Sequence, residues 1–294
     1  MPEDEAAELT DIRLAAQACQ GDVETLETLL RRHQRWIFNV ALRMLQTRED
    51  AEDATQEVLL KIATRLGSFR AESSFRTWAY RIMANHVLDR QRSRPERVVH
   101  DFACYGDYLE NTPSEELPAA YGSAQERELL IAEARRSCLL GMLLCLDRRQ
   151  RLVFVLGEIF EVGDAFGGDV LEMTPENFRQ QLARARRQLY GFMGGHCGLL
   201  DPRNPCRCAA KTRAFIRDGI VDPRRLVFVE SAVDRLKGRV AEIAGEFDDT
   251  IASGNRLLYR EHPDFEPGDL AGRLRLLIAD GALRTRLDLP PSAH

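Results

Sequence analysis

Between Val23 and about Arg94 the chain carries one Gly and no Pro, and its apolar residues recur at helical spacing almost without interruption. Such a stretch is a poor strand former and reads as packed helices. In the segment Glu49 to Leu66, Ala51, Ala54, Val58, Ile62 and Leu66 share one stripe. Asp50, Asp53, Gln56 and Glu57 lie on another, so one face packs and the other carries acid.

The next segment, FRAESSFRTWAYRIMANHVLDRQRSR, holds a short polar loop and then a helix expected to start at about Phe75. On it Phe75, Trp78, Ala79, Ile82 and Met83 share an apolar side, while Thr77, Arg81, Asn85, Asp89 and Arg92 line a polar one. From Phe69 to Arg97 there are seven Arg against three acidic residues, in a chain of net charge -5. Local basicity in an acidic protein marks a patch for phosphate. Cations and amides with aromatics at their base, behind a loop expected to be uncapped, suit a single strand whose bases are unstacked. Trp78 and Ile82 are read as core.

Residues 98–126 contain no Lys or Arg, six acidic residues, two Pro and no apolar period, and read as an extended or disordered linker. A second helical block follows from Arg127. Within it LDRRQRLVFVLGEIF is an apolar-striped helix. Thr174 is an N-cap with Pro175 at the first helical position. The helix that follows has Phe178, Leu182, Ala185 and Leu189 on its inner side and Arg179, Arg184, Arg186 and Arg187 on its outer one. A helix, a tight connection and a basic second helix form the pattern of a helix-turn-helix. Gly167 and Gly168 weaken helix propensity where the first helix of that pair should run.

These segments together resemble the extracytoplasmic-function (ECF) class of sigma-70 family sigma factors, the promoter-recognition subunits of bacterial RNA polymerase. DAEDATQEVLLKIATRL is similar to region 2.2 and the Phe69 to Arg94 segment to regions 2.3 and 2.4. LDRRQRLVFVLGEIFEV and TPENFRQQLARARRQL are similar to regions 4.1 and 4.2. The resemblance implies an all-α fold: an N-terminal segment (1–22), region 2 (23–95), an acidic linker (96–127), region 4 (128–192) and a mainly helical C-terminal extension (193–294). It implies that Asp50, Asp53, Gln56 and Glu57 meet the clamp helices of the polymerase beta-prime subunit, with the beta subunit a further contact. Arg70, Phe75, Arg76, Arg81 and Asn85 would hold flipped-out bases of the -10 element. Glu176, Asn177, Arg179 and Gln180 would reach base edges at the -35 element, and Arg184, Arg186 and Arg187 its phosphates. The acidic linker would thread toward the polymerase active-site channel. No catalytic residue and no required cofactor are implied, and an anti-sigma factor is a partner the resemblance leaves open.

The extension begins with GGHCGLLDPRNPCRC, which places His196, Cys197, Cys206 and Cys208 within thirteen positions. These are zinc-ligand types, but the spacing is not the usual Cys-x2-Cys knuckle, so a zinc site, a redox thiol pair and packing cysteines are all open readings. The apolar stripe from Val227 to Ile251 reads as a long helix, in an extension expected to regulate activity. The acidic N-terminus lacks the features of a signal peptide and no run of about 18 apolar residues exists, so the chain is expected in the cytoplasm. Two alternatives stand beside the sigma factor: a helix-turn-helix regulator that binds duplex DNA without polymerase, and a thiol or metal enzyme built on the Cys cluster.

Overall fold

In the computed structural model the described residues are 2–226, Tyr259 and 265–279, and the helix expected over Val227 to Ile251 lies outside them. Twelve α-helices are described, with no β-strand longer than an isolated bridge among those residues. They fall into two units. One comprises residues 1–91, 163–177 and 266–294, the other 92–162 and 178–265.

The first unit is built on α1 (Pro2–Ala18), α2 (Val23–Leu45), α3 (Arg48–Arg65) and α4 (Phe75–Asp89). Asp22 caps α2 by accepting from the Glu24 and Thr25 N–H groups, and Thr47 caps α3 by accepting from Asp50 N–H at 3.2 Å. Gln46 closes α2 in the left-handed conformation (φ 69°), so that two residues suffice to reverse the chain into α3. The apolar stripe read from the sequence is the packed one: Ala51, Ala54, Val58 and Ile62 are fully buried against α2. α1 contributes Asp11, whose carboxylate meets His33 at 3.0 Å and Arg32 at 2.7 Å. α12 (Leu270–Ala279) lies on α2 and α3, burying Leu270, Ala271, Leu274 and Ile278. It is fastened by Arg31 to Asp269 (2.9 Å) and Arg275 to Glu27 (2.8 Å).

The second unit contains α5 (Arg94–Val98), α6 (Phe102–Asn111), α7 (Ala124–Leu143), α8 (Arg148–Phe154), most of α10 (Pro175–His196) and α11 (Cys208–Arg217). The expectation of an extended acidic linker is corrected here. Asp101 caps α6 by accepting from Cys104 N–H at 2.7 Å, and Tyr105 and Leu109, one turn apart, are buried. Gly141 of α7 admits the Tyr105 ring, since a Cβ there would stand 2.8 Å from the Tyr105 hydroxyl. Beyond α6, Glu115 N–H donates to Ala210 O at 2.8 Å and Arg213 pairs with Glu115 at 2.8 Å. Acidic composition concealed an aromatic anchor, an aliphatic one and a cationic partner in α11.

Two of the buried carboxylates of this unit are met by arginines. Glu96, 4% exposed, accepts from Arg148 at 2.7 Å and from Arg151 at 2.8 Å, and also from Ser93 N–H at 2.9 Å. Arg151, itself 3% exposed, donates further to the carbonyls of Leu143, Leu144 and Leu146, which end α7. Glu158 lies in a π-helical turn (Val155–Ile159) that continues α8 and is neutralised by Arg186 of α10.

Burial pushes the Glu96 carboxyl up, but the hydrogen bonds from Arg148 and Ser93 and the charge of Arg151 outweigh it and hold the pKa at about 2. A carboxylate depressed by folding contributes stability above its unfolded value of 4.5 and loses it as pH falls toward 2. The whole window is worth about 3 kcal/mol. Thermal unfolding followed by circular dichroism should therefore show Glu96→Gln with a flatter stability loss than wild type between pH 5 and 3. Parallel curves would refute this role.

Candidate nucleic-acid interface

Ser74 caps α4, its hydroxyl accepting from Thr77 N–H at 2.9 Å, so the loop before the helix is not uncapped as expected. The N-terminus of α4 also holds a carboxylate: Glu8 accepts from Phe75 N–H at 2.6 Å. Ala71 turns the loop with φ 54°, a conformation rare outside Gly.

The sides of α4 differ from the expectation at Thr77 and Tyr80, Arg92 lies beyond the end of the helix at Asp89, and Phe75 is on the apolar side as expected but too deep for the base contact the resemblance implied. Phe75 is fully buried against His33, Phe69 and Trp78 and is a core residue, not a base platform. Thr77 is also buried, through its contact with Ser74 at 2.8 Å. Tyr80, left out of both faces, is fully buried and stacks on Trp36 at 3.7 Å with rings parallel to 1°. An aromatic four residues C-terminal to Arg76 was the signal that could have found it. Arg70, Arg76 and Asn85 are exposed, Arg81 and Trp78 half-buried.

Two of these cations are engaged by α9 (Asp164–Val170), which belongs to the same unit. The Arg76 guanidinium lies 5.5 Å from the Phe166 ring centre and 5.6 Å from that of Tyr80. Arg81 Nε donates to Asp169 O at 2.8 Å. Phe166 meets Tyr80 edge-on at 5.2 Å.

On α3, Asp53 and Glu57 are exposed, and Asp50 and Gln56 half-buried. Arg90, the residue after α4, reaches back to Glu57 at 3.2 Å and Asp50 at 3.4 Å. His86 lies beside them, accepting from Lys61 Nζ at 2.8 Å; burial and then the Lys61 charge push its pKa down. The acid stripe is thus partly neutralised from α4, with Asp53 at its exposed centre.

The second basic surface is α10. Thr174 caps it as expected, accepting from Asn177 N–H at 3.2 Å. Phe178, Leu182, Ala185 and Leu189 are buried, and Met193 extends the stripe by one turn. Gly157 makes room for it: a Cβ there would stand 2.7 Å from Leu182. Before it, Gly167 and Gly168 do sit in a helix, α9. The reason is steric, because a Cβ at Gly168 would meet Met173 O at 2.8 Å in the turn toward α10. Glu176, Asn177, Arg179, Gln180, Arg184 and Arg187 are exposed along one side. Arg186 differs, since its guanidinium is committed to the buried Glu158 and is part of the fold.

The Cys loop does not assemble as a four-ligand site. His196 stacks on Phe192 at 4.2 Å, its Nδ1 is 3.0 Å from Phe192 O, and its Nε2 is 3.7 Å from Glu110. Cys197, Cys206 and Cys208 are free thiols of intermediate exposure. Among the described residues no three His, Cys, Asp or Glu side chains converge closely enough to hold a metal ion. None of the described helices is long and apolar enough to cross a membrane.

Comparison with known proteins bears on both basic surfaces. Residues 29–96, which hold α3 and α4, match the family described as Sigma-70 region 2. The ECF RNA polymerase sigma factor SigM of Mycobacterium tuberculosis is 30% identical over 187 residues, 64% of this chain and 86% of that protein. SigW of Bacillus subtilis is 25% identical over 91% of its own length. SigG of Mycobacterium tuberculosis is 26% identical over 267 residues, 85% of this chain and 69% of its own, so likeness to it reaches into the extension. With a region 2 match on the acidic and basic helices, and a relative aligned over nearly all of its own length, the chain belongs to the ECF class of sigma-70 family RNA polymerase sigma factors.

Proposed function

We propose that this sigma factor binds core RNA polymerase through the exposed acid of α3, and reads promoter DNA through α4 at the -10 element and α10 at the -35 element. The observation that carries the reading is the separation of charge by helix. Asp53 and Glu57 stand exposed on α3, whereas Arg76 and Asn85 are exposed on α4 and Arg179, Gln180, Arg184 and Arg187 on α10. The polymerase beta-prime clamp helices are the proposed partner of Asp53 and Glu57. The protein contributes binding energy and no catalytic group of its own.

At the -10 element, Arg70, Arg76, Arg81 and Asn85 would hold unpaired bases and their phosphates. Extruding a base costs a few kcal/mol, which stacking and amide contacts return. Phe75 supports this surface from beneath. Because Arg76 and Arg81 are held by Phe166 and Asp169 O, strand binding and α9 compete for the same two cations. At the -35 element, Glu176, Asn177, Arg179 and Gln180 occupy the first turns of α10, where a recognition helix meets base edges. Arg184 and Arg187 remain for phosphates.

Mixing the full chain with bacterial core polymerase should give a stable complex and run-off transcription. Asp53→Arg combined with Glu57→Arg should abolish the complex in size-exclusion chromatography, and an unchanged complex would sink the clamp-helix assignment. In a salt titration of holoenzyme on -35 duplex, Arg187→Ala should lower the slope of log K against log salt by about 0.9. Arg186→Ala should instead cost about 3 kcal/mol of stability by leaving Glu158 buried and unpaired. Phe166→Ala should tighten binding of a -10 single strand about two- to fivefold, the worth of one cation–π contact. Fluorescence anisotropy with labelled oligonucleotide measures it, and weaker binding would mean that α9 assists rather than competes.

A further inference from the structure

The loop between α10 and α11 pairs two cysteines through its backbone. Cys197 directly follows α10, and Cys206 lies two residues before Cys208, the first residue of α11. Cys197 and Cys206 are the partners of an isolated parallel β-bridge, with Gly198 N–H donating to Cys206 O at 3.2 Å. Cys197 still donates its N–H to Met193 O at 2.8 Å as α10 ends, and backbones paired by such a bridge run about 4.8 Å apart. That separation falls inside the roughly 4.4–6.8 Å window of Cα distances that a disulfide spans.

The surrounding backbone holds the pair in this register. Cys197 O accepts from Leu200 and Asp201 N–H at 3.2 and 3.1 Å, and Asn204 Nδ2 donates to Gly194 O at 2.9 Å and Cys197 O at 3.2 Å. Arg207 donates to Pro202 O at 2.7 Å and Cys206 O at 3.0 Å. Position 198 must be Gly, because a Cβ there would stand 2.3 Å from Cys206 O. Both thiols are free and only partly covered, so a small oxidant reaches them. Burial first, then neighbouring thiols, push the Cys208 pKa up to about 11 and that of Cys138 of α7 well above its usual range.

We propose that Cys197 and Cys206 form a reversible disulfide when the protein meets a peroxide. One thiolate attacks a peroxide oxygen, the O–O bond breaks, and the departing hydroxide takes a proton to leave as water, giving a sulfenic acid. The second thiol attacks that sulfur, the S–O bond breaks, and a second water leaves as the S–S bond forms. Two thiols are oxidised by two electrons and one peroxide is reduced to two waters; an external dithiol reverses the change. The bond would close the loop at the C-terminal end of α10 and tie that helix to α11.

Trypsin separates the three loop cysteines into peptides 188–203, 204–207 and 208–211, because Arg187, Arg203, Arg207 and Lys211 are cleavage sites. Full-length protein is treated with stoichiometric hydrogen peroxide, alkylated, digested without reduction and mapped by mass. The expected product is a 188–203/204–207 pair, two hydrogens lighter than the free peptides, that dithiothreitol separates. It should persist in Cys138→Ser and Cys208→Ser and vanish in Cys197→Ser. A link joining Cys208 or Cys138 instead, or sulfinic acids without any link, would overturn the proposal. So would stoichiometric zinc in the untreated protein together with thiols closed to alkylation. The map on wild-type protein needs no variant to fold and no promoter binding, so its outcome is independent of the assignment of α10 to DNA.

Discussion

A buried carboxylate shared by two arginines organises the second unit. Glu96 is almost without solvent, and a lone ionised carboxylate there would cost several kcal/mol. Arg148 and Arg151 make it tolerable, and Arg151 spends its remaining donors on the carbonyls of Leu143, Leu144 and Leu146. One guanidinium therefore ends α7, starts α8 and fixes α5. The same device recurs between Glu158 and Arg186, which sets α10 against the turn that follows α8. The basic helix is placed by charge burial as well as by its apolar stripe.

That dual use of arginine separates function from support. On α10, Arg184 and Arg187 face outward while Arg186, between them in sequence, is turned into the fold. On α4, Arg76 and Arg81 are neither core nor free surface, because Phe166 and the Asp169 carbonyl hold them. On the reading proposed for them, these two arginines must become available to bases at low cost. A cation–π contact and a single hydrogen bond to a carbonyl are weak enough to exchange for bases and phosphates.

The helical periods of α3, α4 and α10 were legible because apolar residues at three- and four-residue spacing leave few alternatives, although α4 ends at Asp89, short of the Arg92 expected on its polar side. The acid stripe on α3 and the N-cap at Thr174 were legible for the same local reason. Less was visible where meaning depended on a distant partner. Phe75 was expected to touch bases and is core because His33 and Phe69 close over it. The acidic stretch after Val98 was expected to be extended, yet α6 forms because Tyr105 and Leu109 find a surface to bury against. Gly168 counted against a helix, whereas the close approach of Met173 O is what demands it.

What the sequence by itself determined is the all-helical class, the order of acidic and basic helices, and the family that order belongs to. These follow from period and charge, which are local along the chain. Tertiary structure alone decided which arginines are exposed, which aromatics are buried, and which cysteines a backbone bridge pairs. Arg184, Arg186 and Arg187 are one residue type within four positions. Whether a guanidinium meets solvent or a buried carboxylate depends on where Glu158, twenty-eight residues away from Arg186, is brought by packing. Cys197 and Cys206 are likewise paired by a backbone bridge that no spacing rule specifies.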